Sequence, residues 1–204
     1  MAKIDWYFDF VSPYSYLALH RLPPAGVSYK PVLFAGLLQH WGHKGPAEMP
    51  SKRLWTYRSC TWLAGRLGVA FRFPAAHPFN PLPHLRLAIA CGSAPEAVKR
   101  IFSFVWMSGA NATDPQRFES LCQELGVDPA RLASQEVKDT LRANTEAAAA
   151  RGVFGVPTLV IDGELFWGAD AMDFAEAFLA DPALFQTPEM QRLASLPIGA
   201  ARGG

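Results

Sequence analysis

Ser12 is the residue of this chain best placed to do chemistry, because of what stands on either side of it. Residues 3–16 read Lys-Ile-Asp-Trp-Tyr-Phe-Asp-Phe-Val-Ser-Pro-Tyr-Ser-Tyr, an apolar and aromatic run that breaks at Ser12-Pro13 and resumes with a helical pattern. Serine is a strong helix cap, and proline at the first helical position gives up an N–H that has no intrahelical partner anyway. A hydroxyl and several free backbone N–H groups are thereby delivered to the positive end of a helix. Such a place suits an anion, a thiolate in particular. Capping alone also accounts for a Ser-Pro pair, so the choice between the readings falls to the far end of the chain.

The other reactive residue types offer less. Cys60, Cys91 and Cys122 form no CxxC pair, and their odd, sparse count fits neither a disulfide framework nor a metal site. Each sits in an apolar helical context, which predicts buried, inert thiols. His40 and His43 are three apart but lack cysteine or aspartate partners at metal-ligand spacing. His20, His77 and His84 stand alone and read as structural.

With 204 residues, half of them hydrophobic and 12% aromatic, the chain can bury a substantial core as one domain, or as one domain carrying an insertion. The formal net charge is +1 and lysines and arginines are scattered, so neither nucleic acid nor an anionic membrane surface is an expected partner. No apolar stretch approaches bilayer length. The first residues run into a strand pattern without a secretory signal, so the expected location is cytoplasmic.

These residues need elements to hold them. The pattern predicts a strand over 4–10, a helix over 13–22 stopped by Pro23-Pro24, and a second strand over 27–34. The order implies a parallel pair with a right-handed crossover. Helical periods then dominate, at 51–67, 81–91, 95–106, 115–125 and 136–150, separated by glycines and by a proline-rich loop over 73–83. Strand signals return at 158–161 and 164–167 around the Asp162-Gly163 turn. Ala169-Asp170 offers a cap for a helix over 172–179, and a shorter helix is expected over 188–196. The outer parts thus spell β-α-β and β-β-α around a helical block. The two parts of the sheet are expected to close into one layer, with the block beside it and a ligand cleft between.

The second chemical signal is Gly-Val-Phe-Gly-Val-Pro-Thr over 152–158. Pro157 between apolar strand residues makes sense if Val156–Pro157 is cis at a strand edge, leaving the Val156 backbone free to pair with a peptide. An ordinary trans proline opening a strand is the plain alternative.

Taken together, Tyr-Phe-Asp-Phe-Val-Ser-Pro-Tyr-Ser-Tyr-Leu-Ala from Tyr7, Gly-Val-Phe-Gly-Val-Pro-Thr, and Phe-Trp-Gly-Ala-Asp over 166–170 resemble the markers of one family. It is that of the 2-hydroxychromene-2-carboxylate isomerases and kappa-class glutathione transferases, of DsbA-like thioredoxin fold. The resemblance spans nearly the whole chain. It implies an α/β, thioredoxin-like domain over 1–36 and 152–204, and a large all-helical insertion over 37–151. Redox members of the lineage carry CxxC at the start of the first helix. Here the four residues are Ser12-Pro13-Tyr14-Ser15, so protein disulfide chemistry has no thiol to start from.

The resemblance further implies a bound glutathione held by Ser12, Pro13, Tyr14, Val156, Pro157 and Asp170. Ser12 would be catalytic, donating its hydroxyl to the glutathione sulfur and favouring thiolate. Val156 would pair with the cysteinyl backbone, and Asp170 would hold the γ-glutamyl amino group. Relatives usually carry arginine after that aspartate, where this chain has Ala171. The inserted helices would supply the substrate side, with Lys52 and Asn80 as its residues and His77, Arg53, Arg58, Trp41, Trp55 and Tyr57 as further possibilities. The implied function is a glutathione-dependent isomerase of a small aromatic carboxylate, working as a homodimer and using no metal. A kappa-like transferase or peroxidase acting on hydrophobic electrophiles, or a non-catalytic thiol- or peptide-binding module, are the alternatives.

Overall fold

A computed structural model describes residues 2–200. The strand β1 (Ile4–Phe8) is buried at every position. It pairs in parallel with β2 (Val27–Pro31) and antiparallel with β3 (Thr158–Ile161), which pairs antiparallel with β4 (Glu164–Trp167). The order across the sheet is therefore β2-β1-β3-β4. The β3–β4 turn is made by Asp162 (φ 50°) and Gly163 (φ 101°), as an Asp-Gly pair in a two-residue hairpin requires.

Alternation along β1 divides the interior. Ile4, Trp6 and Phe8 face a large core shared with helices from the middle of the chain, whereas Tyr7 joins Val32, Leu37, Ala148, Val153, Val156 and Val160 on the opposite face. The larger core is built on aromatic rings: Trp6 stacks on Phe8 at 4.4 Å, and Phe10 meets Phe102 at a tilt, 4.5 Å away. Phe102 lies on the helix Pro95–Trp106 and is fully buried, so Phe102→Ala would cost about 3–5 kcal/mol.

The helices run in chain order as α1 (Pro13–Leu19), α2 (Phe34–Trp41), α3 (Pro50–Leu67), α4 (Leu82–Ala90), α5 (Pro95–Trp106), α6 (Pro115–Glu124), α7 (Gln135–Ala150), α8 (Met172–Ala180) and α9 (Pro188–Leu193). Several expected bounds shift. The first strand ends at Phe8 rather than residue 10, because Asp9 turns the chain towards Ser12. The second ends at Pro31, and Phe34 opens α2, a helix the sequence pattern did not reveal. Its cap residue, Leu33, has no capping side chain. The free N–H groups are met from far along the chain instead: Phe34 N–H donates to Asp9 Oδ2 (2.9 Å) and Leu33 N–H to Thr145 Oγ1 (3.0 Å). Gly36 lets α2 approach α7, since a Cβ there would stand 3.1 Å from Thr145 Cγ2. At the other end, α8 is capped by Ala171 with no side-chain bond, so Asp170 is not the cap expected of it.

Two contacts fix where the chain leaves α7. Arg151, just past its end, donates to Asp5 Oδ2 (2.6 Å) and to the Tyr7 hydroxyl (2.9 Å) on β1. Asp5 is 3% exposed, and this pairing satisfies it. Trp41 Nε1–H, at the end of α2, donates to the Val153 carbonyl (2.9 Å). Residues 152–157 are thereby pinned at the end of β1, beside the turn that carries Ser12.

Candidate active site at the start of the first helix

Ser12 caps α1 with extended backbone (φ −88°, ψ 113°), and Pro13 takes the first helical position. The Ser12 Oγ accepts the Ser15 N–H at 3.1 Å and donates across to the Val156 carbonyl at 3.4 Å. Val156–Pro157 is cis. The expectation of a cis bond at this position, with Ser12 facing Val156, is met by the geometry. The Ser12–Val156 bond is long, and a thiolate is a stronger acceptor than an amide carbonyl. The Ser12 hydroxyl proton is therefore held only by a long bond. No acidic residue occupies the first turn of α1 to offset its positive end.

On the strand-edge side the Val156 backbone is only partly paired. The Val156 N–H makes no hydrogen bond among the described residues, while the Pro157 carbonyl accepts Gly168 N–H at 2.9 Å. Gly155 is needed for the close approach of Trp167, whose Nε1 would lie 2.6 Å from a Cβ there. Phe154 and Trp167 touch at 5.0 Å and, with Trp41, leave aromatic surface exposed around this loop.

Tyr14 points from α1 to α3, where its hydroxyl meets Ser59 Oγ at 2.8 Å. Burial pushes its pKa up to about 12; proximity to Cys60 and the Asp170 carboxylate adds to the rise. The Gly168 N–H on the Pro157 carbonyl sets Asp170, two residues further on, beside the proline loop. Asp170 is exposed, and its Oδ1 lies over Gly168, where a Cβ would stand 2.3 Å away. Gly168 sits at φ 101°, a conformation glycine adopts freely.

Ser12, Pro13, Tyr14, Val156 and Pro157 thus come together, with Asp170 beside them. Lys52 and Asn80 are not joined to this group by any hydrogen bond or ion pair. Lys52 is exposed near the start of α3, and Asn80 is exposed with its Oδ1 accepting Leu82 N–H (3.1 Å) as α4 begins. His77 does touch the site: its Nε2 lies 2.8 Å from the Val11 carbonyl, and its own peptide bond to Pro78 is cis. Reading His77 as a solitary structural residue missed this contact. Its proline-rich neighbourhood gave no sign of a partner 66 positions upstream. Asp9 was missed as well. It is fully buried under the Ser12 turn, with Oδ1 accepting Val11 N–H at 3.0 Å.

The three thiols are poor nucleophiles as placed. Burial pushes Cys60 up to about 12, and burial also raises Cys91 and Cys122.

Comparison with known proteins agrees with this geometry. The model of the DSBA-like thioredoxin domain matches residues 3–180. The chain is 29% identical over 192 residues to 2-hydroxychromene-2-carboxylate isomerase of Sphingobium xenophagum, covering 87% of this chain and 98% of that protein. It is 25% identical over 205 residues to human glutathione S-transferase kappa 1, covering 87% and 91%. A solved structure of a 2-hydroxychromene-2-carboxylate isomerase superposes with a TM-score of 0.76 at 24% identity, over 96% of this chain and 99% of that one. The chain therefore belongs to the DSBA-like thioredoxin family, in the group of 2-hydroxychromene-2-carboxylate isomerases and kappa-class glutathione transferases.

Proposed function

We propose that this protein is a glutathione-dependent isomerase of a small aromatic carboxylate of the 2-hydroxychromene-2-carboxylate type. The observation that carries the reading is Ser12 Oγ facing the Val156 carbonyl at 3.4 Å, an oxygen where redox chemistry would need a sulfur. In this reading Ser12 turns its hydroxyl from that carbonyl to the glutathione sulfur, and the start of α1 adds to the stabilisation of thiolate. The free N–H and weakly bonded carbonyl of Val156 pair with the cysteinyl unit in strand fashion. Pro13 and Pro157 shape the two walls, Tyr14 closes the floor towards α3, and Asp170 holds the γ-glutamyl ammonium group.

Breaking of the C2–ring-oxygen bond, with the 2-hydroxyl proton passing to the phenol oxygen, would expose a ketone conjugated to the C3–C4 double bond; the thiolate would then add to C4, and the π electron pair would pass to the ketone oxygen. Rotation about the bond so made single would follow, and re-formation of the carbonyl would then expel the thiolate unchanged. Glutathione is consumed in neither direction. Lys52 is the proposed cation for the substrate carboxylate, with Asn80 as its polar neighbour. Three unpaired cysteines suit a reducing compartment such as the cytoplasm. Among the described residues no helix is long and apolar enough to cross a membrane. A homodimer belongs to this reading through the family resemblance.

A kappa-like transferase is the second reading, favoured by the similarity to human glutathione S-transferase kappa 1. Incubation with glutathione and a panel of chromene carboxylates, followed by chromatography, separates the two. An isomer formed with glutathione undiminished supports the first, and a glutathione adduct the second. Neither product, with no thiolate absorbance on adding glutathione, would leave a binding module.

A further inference from the structure

The Ser12 turn is held from a third direction, by groups outside the strand–helix unit that carries it. The peptide between Val11 and Ser12 presents its N–H to the Asp9 carbonyl (3.1 Å) and its C=O to His77 Nε2 (2.8 Å). A carbonyl can only accept, so the proton is on Nε2, and in the neutral ring Nδ1 is an acceptor. The Tyr57 hydroxyl lies 2.8 Å from that Nδ1 and 2.8 Å from the His77 carbonyl, so its proton is shared between the two. Tyr57, Phe73, Trp106 and Phe79 surround the ring at 5.3, 5.6, 5.6 and 6.4 Å. Burial lowers the His77 pKa, which keeps the ring in the neutral form this pattern requires. An aromatic cage of this kind would accept a phenyl ring as readily. What the imidazole adds is one N–H, aimed at the peptide that precedes the catalytic hydroxyl.

We propose that His77 and Tyr57 are positioning residues for Ser12, with the His77 Nε2–H fixing the Val11–Ser12 peptide plane and the Tyr57 hydroxyl fixing the ring. The proposal rests on the glutathione reading of the site. A hydrogen bond to a charged acceptor weakens steeply once misaligned, so loss of the plane weakens the bond from Ser12 to sulfur while leaving its hydroxyl in place. Tyr57 lies on α3, the helix that carries Lys52, and His77 lies in the loop before α4. The setting of the thiolate donor is thereby tied to the helices proposed to hold substrate.

The test is a pH titration of the ultraviolet absorbance of bound glutathione thiolate, with glutathione affinity measured on the same samples. His77→Phe keeps a ring in the cage and removes the donor; His77→Gln keeps a donor; Tyr57→Phe removes only the hydroxyl. His77→Phe should lower the thiolate-to-thiol ratio near neutral pH by roughly three- to tenfold, the loss of one ordinary hydrogen bond. Affinity at alkaline pH should stay within about twofold of wild type, because the Val156 and Asp170 contacts are untouched. Tyr57→Phe should shift the curve the same way by less, and His77→Gln should recover most of the loss. An unchanged curve for folded His77→Phe, or one for His77→Gln no better than for His77→Phe, overturns the proposal. If His77→Phe does not fold, Tyr57→Phe decides, and a wild-type curve there overturns it equally. Wild-type protein that binds no thiolate at any pH overturns the glutathione reading itself, a different result from a wild-type signal indifferent to His77.

Discussion

The Ser12 hydroxyl and the Val156 carbonyl face each other at 3.4 Å although 144 positions separate them in the chain. The bond joins the start of α1 to the loop before β3, and its length leaves the proton easy to redirect. If that proton serves the glutathione sulfur, Ser12→Ala removes a hydrogen bond to a charged partner, worth about 1.5–3 kcal/mol. The bound thiol pKa should rise by about one to two units, at about 1.4 kcal/mol per unit. Turnover near neutral pH should fall accordingly, and the defect should shrink as pH rises until both proteins are fully ionised. A rate loss that stays constant with pH would mean that Ser12 positions substrate instead. No loss at all would reduce it to the cap of α1 that it also is.

Asp170 and Ala171 test the other end of the glutathione. Asp170 is exposed and makes no ion pair among the described residues, so its charge is available. Asp170→Asn should weaken glutathione binding by roughly two- to fivefold, the scale of an exposed charge pair, with little effect on kcat. Ala171→Arg adds the cation that the family resemblance implies and should strengthen binding by a similar factor through the glutathione carboxylates. It also sets a positive charge at the start of α8, costing about 0.3–1 kcal/mol of stability. Calorimetric titration of the two variants reads both effects. Equal affinity in all three proteins would place the glutathione away from this loop.

None of the three cysteines is in a state to attack. Cys60 is fully buried in the main core, a packing role, and burial pushes its pKa up to about 12. The variant with Cys60, Cys91 and Cys122 all replaced by alanine should keep its kcat within about twofold, while losing roughly 1–3 kcal/mol of stability from the small cavities created. Activity lost with the fold intact would identify a nucleophile that burial conceals.

Much of this site could be read before the fold was known. β3, β4 and α5 match their expected bounds residue for residue, because apolar alternation, an Asp-Gly turn and an N-terminal proline are all local signals. The cis bond at Val156–Pro157 could be read because a proline stood where a strand should begin. What escaped notice depends on distant partners. The capping groups of α2 are Asp9 and Thr145, so no sequence window around Phe34 contains them. His77 acquires its role from the Val11 carbonyl and the Tyr57 hydroxyl, which meet only once α3 packs beside α1. Asp170 was expected to cap α8, since an aspartate before a helix ordinarily does. Here the turn at Gly168 carries its carboxylate away from that helix.

Two buried titratable groups should pull stability in opposite directions with pH. Asp9 is fully buried, and burial pushes its carboxyl up to about 7 despite donors from Phe34, Val11 and Phe10. It holds its proton more tightly folded than unfolded, so its contribution to stability grows as pH falls from about 7 towards about 4. His84 is pushed down to about 4 by burial, with Nε2 on the Ala112 carbonyl and Nδ1 without a partner. It takes its proton more readily unfolded, so its contribution is lost as pH falls from about 6.5 towards about 4. Over that shared window the two oppose each other, and wild-type stability should change little. His84→Phe suits a site bordered by Phe10, Phe79, Phe104 and Phe118, and should leave a stability that rises steadily on acidification. Asp9→Asn should do the reverse. At the alkaline end, where Asp9 is ionised, an amide oxygen cannot accept both the Val11 and the Phe34 N–H as the carboxylate does, a loss of about 1–3 kcal/mol there. Urea unfolding of the three proteins at intervals from pH 4 to 8 decides the matter, and parallel profiles would show that neither group titrates as its burial requires.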